Sequence, residues 1–281
     1  MGSLVDDLKN KAQSMRREVV KMIGAANSGH PGGSLSAADI MAVLYFHAMK
    51  HDPENPKWEE RDRFVLSKGH AAPVLYAALA EAGYFSKEIL PTLRKTGSIL
   101  QGHPDMKNIP GVDMSTGSLG QGISAACGMA LAAKLQKKDY RVYTILGDGE
   151  LEEGQVWEAS MFASHRKLDN LCVIVDNNNL QIDGFIGDVC SPYPIDEKFE
   201  AFGFSVIKVK ADDFSELEKA FDKAKKTKDK PTAIILNSIK GRGISFMENK
   251  ANWHGVAPNE EQYALAMEEL KQAYNYLGGE N

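Results

Sequence analysis

Apolar residues fall at three- and four-residue steps from the start of the chain. Leu4, Leu8, Met15, Val19 and Met22 predict an amphipathic helix over 4–23. Ser28-Gly29-His30-Pro31-Gly32-Gly33 then breaks the pattern. Ser36-x-x-Asp39 has the spacing of a capping box, with Asp in place of Glu, and predicts a helix running to about Met49. Arg63 to Leu66 is a short strand, followed by helices at 72–82 and 87–95 and a Gly-, Pro- and Ser-rich loop over 97–118. A helix of small residues runs from about Gly120 to Gln136. From there apolar runs and helical periods alternate. Strands at Arg141–Leu146, Leu171–Val175, Phe204–Val209 and Thr232–Asn237 are separated by helices at 151–167 and 213–226, and a last helix covers 259–276. Strands alternating with helices specify an α/β fold, a parallel sheet with helices on both faces. No internal repeat or low-complexity linker divides the sequence, so residues 1–281 are read as a single domain.

Composition narrows the function more than the fold. Of 281 residues, 43% are hydrophobic and 25% charged, ordinary globular values with enough apolar material for a large core. The net charge is −5, and the one dense basic run, Lys223 to Lys230, is interrupted by Asp229. That balance argues against nucleic acid or an anionic membrane as partner. The three cysteines, Cys127, Cys172 and Cys190, are far apart, so a disulfide framework or a zinc site is not expected; Cys127 and Cys172 read as small buried hydrophobes. No apolar run reaches the ~18–20 residues of a membrane span, and the acidic N-terminus lacks a signal-peptide core, so the cytoplasm is the expected compartment.

The chemistry concentrates where two strands end. Asp148, between Gly147 and Gly149, follows one strand; Asn178, thirty residues on within Asp176-Asn177-Asn178-Asn179, follows the next. Ligands in open parallel sheets bind beyond the carboxyl ends of strands, and a right-handed crossover would set these two ends side by side. One carboxylate and one amide carry a single formal charge, too little for a calcium cage but suited to magnesium, which fills its octahedron with phosphate oxygens and water. The glycines allow close backbone approach, and the 151–167 helix points free N–H groups at the same rim. Taken separately, Gly-Asp-Gly is a helix-capping turn and the Asn run a loop. Their spacing and strand-turn-helix-strand context make the pair specific.

The pair resembles the thiamine diphosphate signature. Gly147-Asp-Gly-Glu-Leu-Glu-Glu-Gly154 with Ile182-Asp183-Gly184 is similar to transketolases. So are Ser28-Gly-His-Pro-Gly32, Ser67-Lys-Gly-His70, Gly102-His-Pro104, Ser115-Thr-Gly-Ser-Leu-Gly-Gln-Gly122 and His254-Gly255, in the family's order over nearly the whole chain. The resemblance implies a thiamine diphosphate-binding fold, the diphosphate-binding domain of that family. It implies magnesium, with calcium or manganese as substitutes, held by Asp148, Asn178 and the Leu180 carbonyl. The Gly149 N–H would meet the diphosphate; Gly117, Ser118, Leu119 and Ile182 would line the cofactor. His70 would contact the diphosphate side, His30 and His254 the sugar oxygens where protons move, and His103 the terminal hydroxyl of the transferred unit, with His254 also against the cofactor. Glu153, joined by Glu158, would belong to an acidic network linking two cofactors across a dimer contact. Glu150 and Glu152 read instead as acids complementing a helix dipole. His47, His51 and His165 read as structural. Lys240 and Arg242 either touch cofactor phosphate or substrate or are solvated turn charges, and the second reading is preferred.

In the family, the glutamate that acts on the aminopyrimidine lies in a pyrimidine-binding domain, which a C-terminal domain follows; neither is present before Asn281. The expectation is therefore the N-terminal subunit of a split transketolase in the pentose phosphate pathway. A C-terminal subunit would complete a heterotetramer of two copies of each chain, which moves a two-carbon ketol unit between sugar phosphates. The alternatives are a subunit of a 2-oxo acid dehydrogenase or deoxyxylulose phosphate synthase, or a non-catalytic cofactor-binding protein.

Overall fold

The computed structural model describes residues 3–276. Five parallel strands form one sheet: β1 (Arg63–Leu66), β2 (Val142–Gly147), β3 (Leu171–Asn177), β4 (Ser205–Lys210) and β5 (Thr232–Asn237), in the order β1-β2-β3-β5-β4. The central strands are buried on both faces, which is why β2, β3 and β5 read as nearly unbroken apolar runs. Edge strand β4 is protected differently: Lys208 and Lys210 are exposed along it, and Lys208 pairs with Asp196 at 2.6 Å.

The helices are α1 (Leu4–Ala26), α2 (Pro31–Ser36), α3 (Ala38–Val43), α4 (Ala72–Ala82), α5 (Gly122–Leu135), α6 (Gly154–His165), α7 (Ile186–Val189), α8 (Ile195–Ala201), α9 (Phe214–Lys226) and α10 (Glu260–Tyr276). Successive side chains of a strand point to opposite faces, so each strand feeds two cores. Tyr143, Ile145, Cys172, Ile174, Ile234 and Leu236 pack under α1, α3, α4 and α9. Val142, Leu146, Val173, Val175, Ala233 and Ile235 pack under α5, α6 and α8. Cys127 and Cys172 are buried in these cores, as expected of small hydrophobes.

The N-terminal segment departs from its sequence reading. The capping box lies at Ser3 and Asp6, where the Ser3 hydroxyl accepts from the Asp6 N–H at 3.2 Å. Ser36 and Asp39 do not cap a helix. The helix begins earlier, at Pro31, bends at Ala37 and widens over Leu44–Ala48. Asp39 is buried and takes the Arg16 guanidinium of α1 at 2.6 Å, while Ser36 points beneath the sheet's carboxyl edge. A long-range partner overrides local capping in both cases. The 87–95 helix is a tight turn at Lys87–Thr92, and 97–118 contains no helix or strand.

Register positions the site. Gly147 lies opposite Asp176, and Asn177 opposite Asn237. Asp148, Asn178 and Ser238, the next residue in each case, therefore emerge side by side at one edge.

Candidate functional site

Four strand ends converge on a cleft of about 220 Å³. β1 delivers Lys68 and His70, β2 Asp148 and Glu150, β3 Asn178 and Leu180, and β5 Lys240; Gly33, Leu119, Gly149, Ile182 and His254 are among the other lining residues. Most of the expected site residues thus meet in one place. His103, Gly117 and Ser118 line an adjoining depression with Met114 and Gln121, and Leu119, next along the chain, faces the main cleft. Gly117 adopts φ +155°, and a Cβ on Gly69 would stand 2.7 Å from its nitrogen. Glycine at both positions lets these backbones touch.

Asp148 is almost fully buried. Its carboxylate accepts N–H groups from Gly149 at 2.9 Å and Asn179 at 2.6 Å. Burial, and next the negative charge of Asp176, still push its pKa up to about 7. This carboxylate is short of positive charge, the condition a divalent ion relieves. The Asn178 oxygen accepts the Leu180 N–H at 3.2 Å, and its amide nitrogen donates to Asp176 at 3.3 Å. Among the described residues no cluster of three His, Cys, Asp or Glu side chains could hold a metal. A site here would use one carboxylate, one amide and one carbonyl, with phosphate and water completing the shell, a donor set that fits magnesium.

Beneath these groups Asp176 is fully buried. It accepts from Ser36 at 2.5 Å, from Ser238 and from the Lys68 ammonium, which also donates to the Gly33 carbonyl at 2.9 Å. Burial raises its pKa, but the Lys68 charge and these donors prevail and hold it below the usual carboxylate range. Lys240 is also buried. Its ammonium donates to the Leu180 carbonyl and lies against His254 Nδ1, both at 2.9 Å. Burial lowers its pKa to about 8. The preferred reading of Lys240 as a solvated turn charge is therefore corrected, because the β5 turn folds it under Gly32. Arg242, two residues on, is a partly exposed turn charge paired with Asp212 at 2.9 Å.

Three imidazoles form one wall, with ring centroids 5.1 to 5.5 Å apart among His30, His70 and His254. Burial, reinforced by nearby cations, lowers His30 to about 4 and His254 to about 3, and holds His70 well below its ordinary value. All three are neutral at pH 7 and can each donate and accept a hydrogen bond. His103 is exposed and is lowered by partial burial and then by Arg94.

The glutamates separate differently from the sequence reading. Glu150 does not dress a helix terminus. It is buried and accepts from Ser67, from the Gly120 N–H at 2.9 Å and from the Gly147 N–H at 3.1 Å, joining three segments of the site's rim. Glu152 is exposed and holds Gln181 at 2.8 Å. Glu153 and Glu158 are exposed on this chain and line neither depression. Sequence reasoning missed Lys68, Asp176 and Glu150 as site-building groups. A charged residue ending an otherwise apolar strand, as Asp176 does, was the available clue.

The family model of the transketolase thiamine diphosphate binding domain matches residues 8–277. A 6-deoxy-6-sulfo-D-fructose transketolase subunit of Clostridium sp. (strain MSTE9) is 47% identical over 95% of this chain and 97% of its own length. An apulose-4-phosphate transketolase subunit of Phocaeicola vulgatus is 40% identical over 99% of this chain and 98% of its own. Human transketolase is 49% identical, but the match covers 88% of this chain and 39% of that protein. The solved transketolase of Campylobacter jejuni superposes with a TM-score of 0.89 at 35% identity, over 99% of this chain and 46% of that one. The chain thus spans nearly all of the subunit relatives and less than half of the full-length ones.

Proposed function

The chain belongs to the transketolase family, whose thiamine diphosphate-binding domain it carries, and from that premise we propose that it is the diphosphate-binding subunit of a two-chain transketolase. In this reading residues 1–281 are a single diphosphate-binding domain. Asp148, Asn178 and the Leu180 carbonyl hold magnesium. The Gly149 N–H and Lys240 face the diphosphate, with His70 on the same side; Gly117, Ser118, Leu119 and Ile182 enclose the rest of the cofactor. The observation that carries the reading is the meeting, in one cleft, of a buried carboxylate short of positive charge, Asp148, with a buried ammonium, Lys240, whose pKa burial lowers to about 8. A metal diphosphate offers positive charge to the first and negative charge to the second.

Bound thiamine diphosphate supplies the nucleophilic carbon that ketol transfer requires. The chain's own groups position the sugar and manage protons. His30 and His254, neutral and side by side, donate to or accept from substrate oxygens, and His103 in the adjoining depression meets the terminal hydroxyl of the two-carbon unit. Glu153 acts at the contact with a second copy. A partner chain supplies the pyrimidine-binding domain and its glutamate, as the relatives named as subunits suggest, and two copies of each chain form the working assembly. The substrates are a ketose phosphate donor and an aldose phosphate acceptor, and the work belongs to the cytoplasm and the pentose phosphate pathway. Among the described residues no helix is long and apolar enough to cross a membrane.

Calorimetry with Mg²⁺ and thiamine diphosphate, followed by a ketol-transfer assay with and without the partner, tests this. Transfer is expected only with the partner present. Turnover by this chain alone overturns the two-chain reading; failure to bind cofactor in either state overturns the cofactor reading.

A further inference from the structure

Between β3 and α8 the chain makes an excursion that supplies Asn178, Leu180 and Ile182 to the cleft and then returns. The outward part is lightly held. Ile182, Phe185 and Val189 are 63%, 57% and 44% exposed. The return is firmly held: Ile195 and Phe199 of α8 are buried in the core beneath the sheet, where Phe199 packs against Trp157 and Phe204. Tyr193 stands two residues before that anchor. Its hydroxyl lies within hydrogen-bond distance of the side-chain oxygens of both Asn177, at 2.8 Å, and Asn179, and shares its one proton between them. These residues flank Asn178 on either side. Asn179 has a left-handed backbone, φ 64°, gives its N–H to Asp148 at 2.6 Å and its carbonyl to the Ile186 N–H at 2.9 Å.

We propose that Tyr193 is a positioning residue for the metal site, a buckle from the anchored α8 to both neighbours of Asn178 that fixes the Asn178 amide and the Leu180 carbonyl. The inference rests on the reading that Asp148, Asn178 and Leu180 hold a divalent ion. Tyr193 lines neither depression of the site, so its hydroxyl acts through the turn it grips and not on a ligand directly. Without it, the turn from Asn177 to Leu180 keeps its β3 end but loses its tie to α8. Groups that orient metal ligands typically contribute about 10–100-fold to metal affinity.

Tyr193→Phe removes only one oxygen from a partly exposed ring, so the fold is expected to survive. The test titrates Mn²⁺ into the full chain with saturating thiamine diphosphate, reads bound ion by electron paramagnetic resonance, and follows amide hydrogen exchange. The variant is expected to weaken Mn²⁺ at least about tenfold and to speed exchange at 178–181, with β3 and α8 unchanged. Equal Mn²⁺ affinity in variant and wild type overturns the proposal while leaving the metal reading intact. Faster exchange throughout β3 and α8 also overturns it, since the effect would then be general destabilisation. If the wild-type chain binds no Mn²⁺, the metal reading falls and the proposal with it.

Discussion

Two clefts open at opposite edges of the same sheet, and the larger one is not the site. At the amino edge, residues just before β1, β2 and β3 join the ends of α5 and α9 around about 440 Å³, lined by Lys50, Lys134, Lys138, Arg141, Lys225 and Lys228 with Asp62, Asp139 and Asp169. The cleft at the carboxyl edge is half that size and has two lysines. The difference lies in what the charges already have. Asp169 holds Lys134 at 2.7 Å, Lys138 holds Glu59, and the lysines near the ends of α5 and α9 complement those helix dipoles. Asp62 is raised by burial and, like Asp148, accepts two N–H groups, from Lys50 at 2.8 Å and Arg141 at 2.7 Å, but the charges of those two residues oppose the rise, whereas the Asp176 charge adds to the rise at Asp148. At the carboxyl edge Asp148 sits near 7 and Lys240 near 8, each displaced from the value at which its charge is comfortable. Unresolved electrostatics, rather than cavity size or charge count, separates the site from a well-satisfied surface.

The sharpest way to break this contrast is to exchange an acid at each edge. On the proposed reading, in which Asp148 holds the metal, Asp148→Asn is expected to weaken thiamine diphosphate binding in Mg²⁺ by at least about 100-fold. Asp169→Asn should leave binding within about twofold and reduce stability by less than about 1 kcal/mol, as exposed pairs do. Titration calorimetry and urea melts read both; equal effects would erase the distinction. Next in size, Lys240→Met should weaken diphosphate binding by about 10-fold or more, the scale of a lost charge-assisted hydrogen bond. Lys228→Met, in the other cleft, should not alter it.

The histidine wall predicts a pH effect confined to one edge. His30 and His254 titrate near 4 and 3 in the fold and near 6.5 when unfolded. Between those values the unfolded chain binds more protons, so stability rises with pH. This contribution is complete above about 6.5 and is lost as pH falls, to about 4 for His30 and about 3 for His254. Asp148, raised to about 7, acts in the opposite sense but equally in every chain, so the fall in urea midpoint over that window should be smaller in His30→Asn and His254→Asn than in wild type. An identical drop in those variants would place the sensitivity elsewhere. The smallest effect belongs to the satisfied edge: Lys134→Ala should change stability by about 0–1 kcal/mol and leave cofactor affinity unmoved.

How far the sequence revealed this site depends on whether its partners are near in sequence. The strands, their helices on both faces, and the Asp148 and Asn178 pair were legible, because periodicity and spacing are local patterns and parallel neighbours follow from them. Groups whose identity depends on distant contact were not. Asp39 looked like a cap until Arg16 met it. Glu150 looked like a helix-terminal acid, but Ser67 and the Gly120 backbone bury it. Lys240 and Arg242 occupy the same short turn with the same charge. Only the fold shows that one is covered by α2 and the other paired at the surface with Asp212.

On the reading proposed above, the displaced charges of Asp148 and Lys240 would also make the cofactor a folding ligand. Discomfort held in the free chain is relieved on loading, so part of the binding free energy appears as resistance to unfolding. Linkage sets its scale at about 2.7 kcal/mol when cofactor stands at 100 times its dissociation constant. The chain's melting temperature should therefore climb with the logarithm of thiamine diphosphate concentration in Mg²⁺, and for Asp148→Asn begin to climb only at about 100-fold higher concentration.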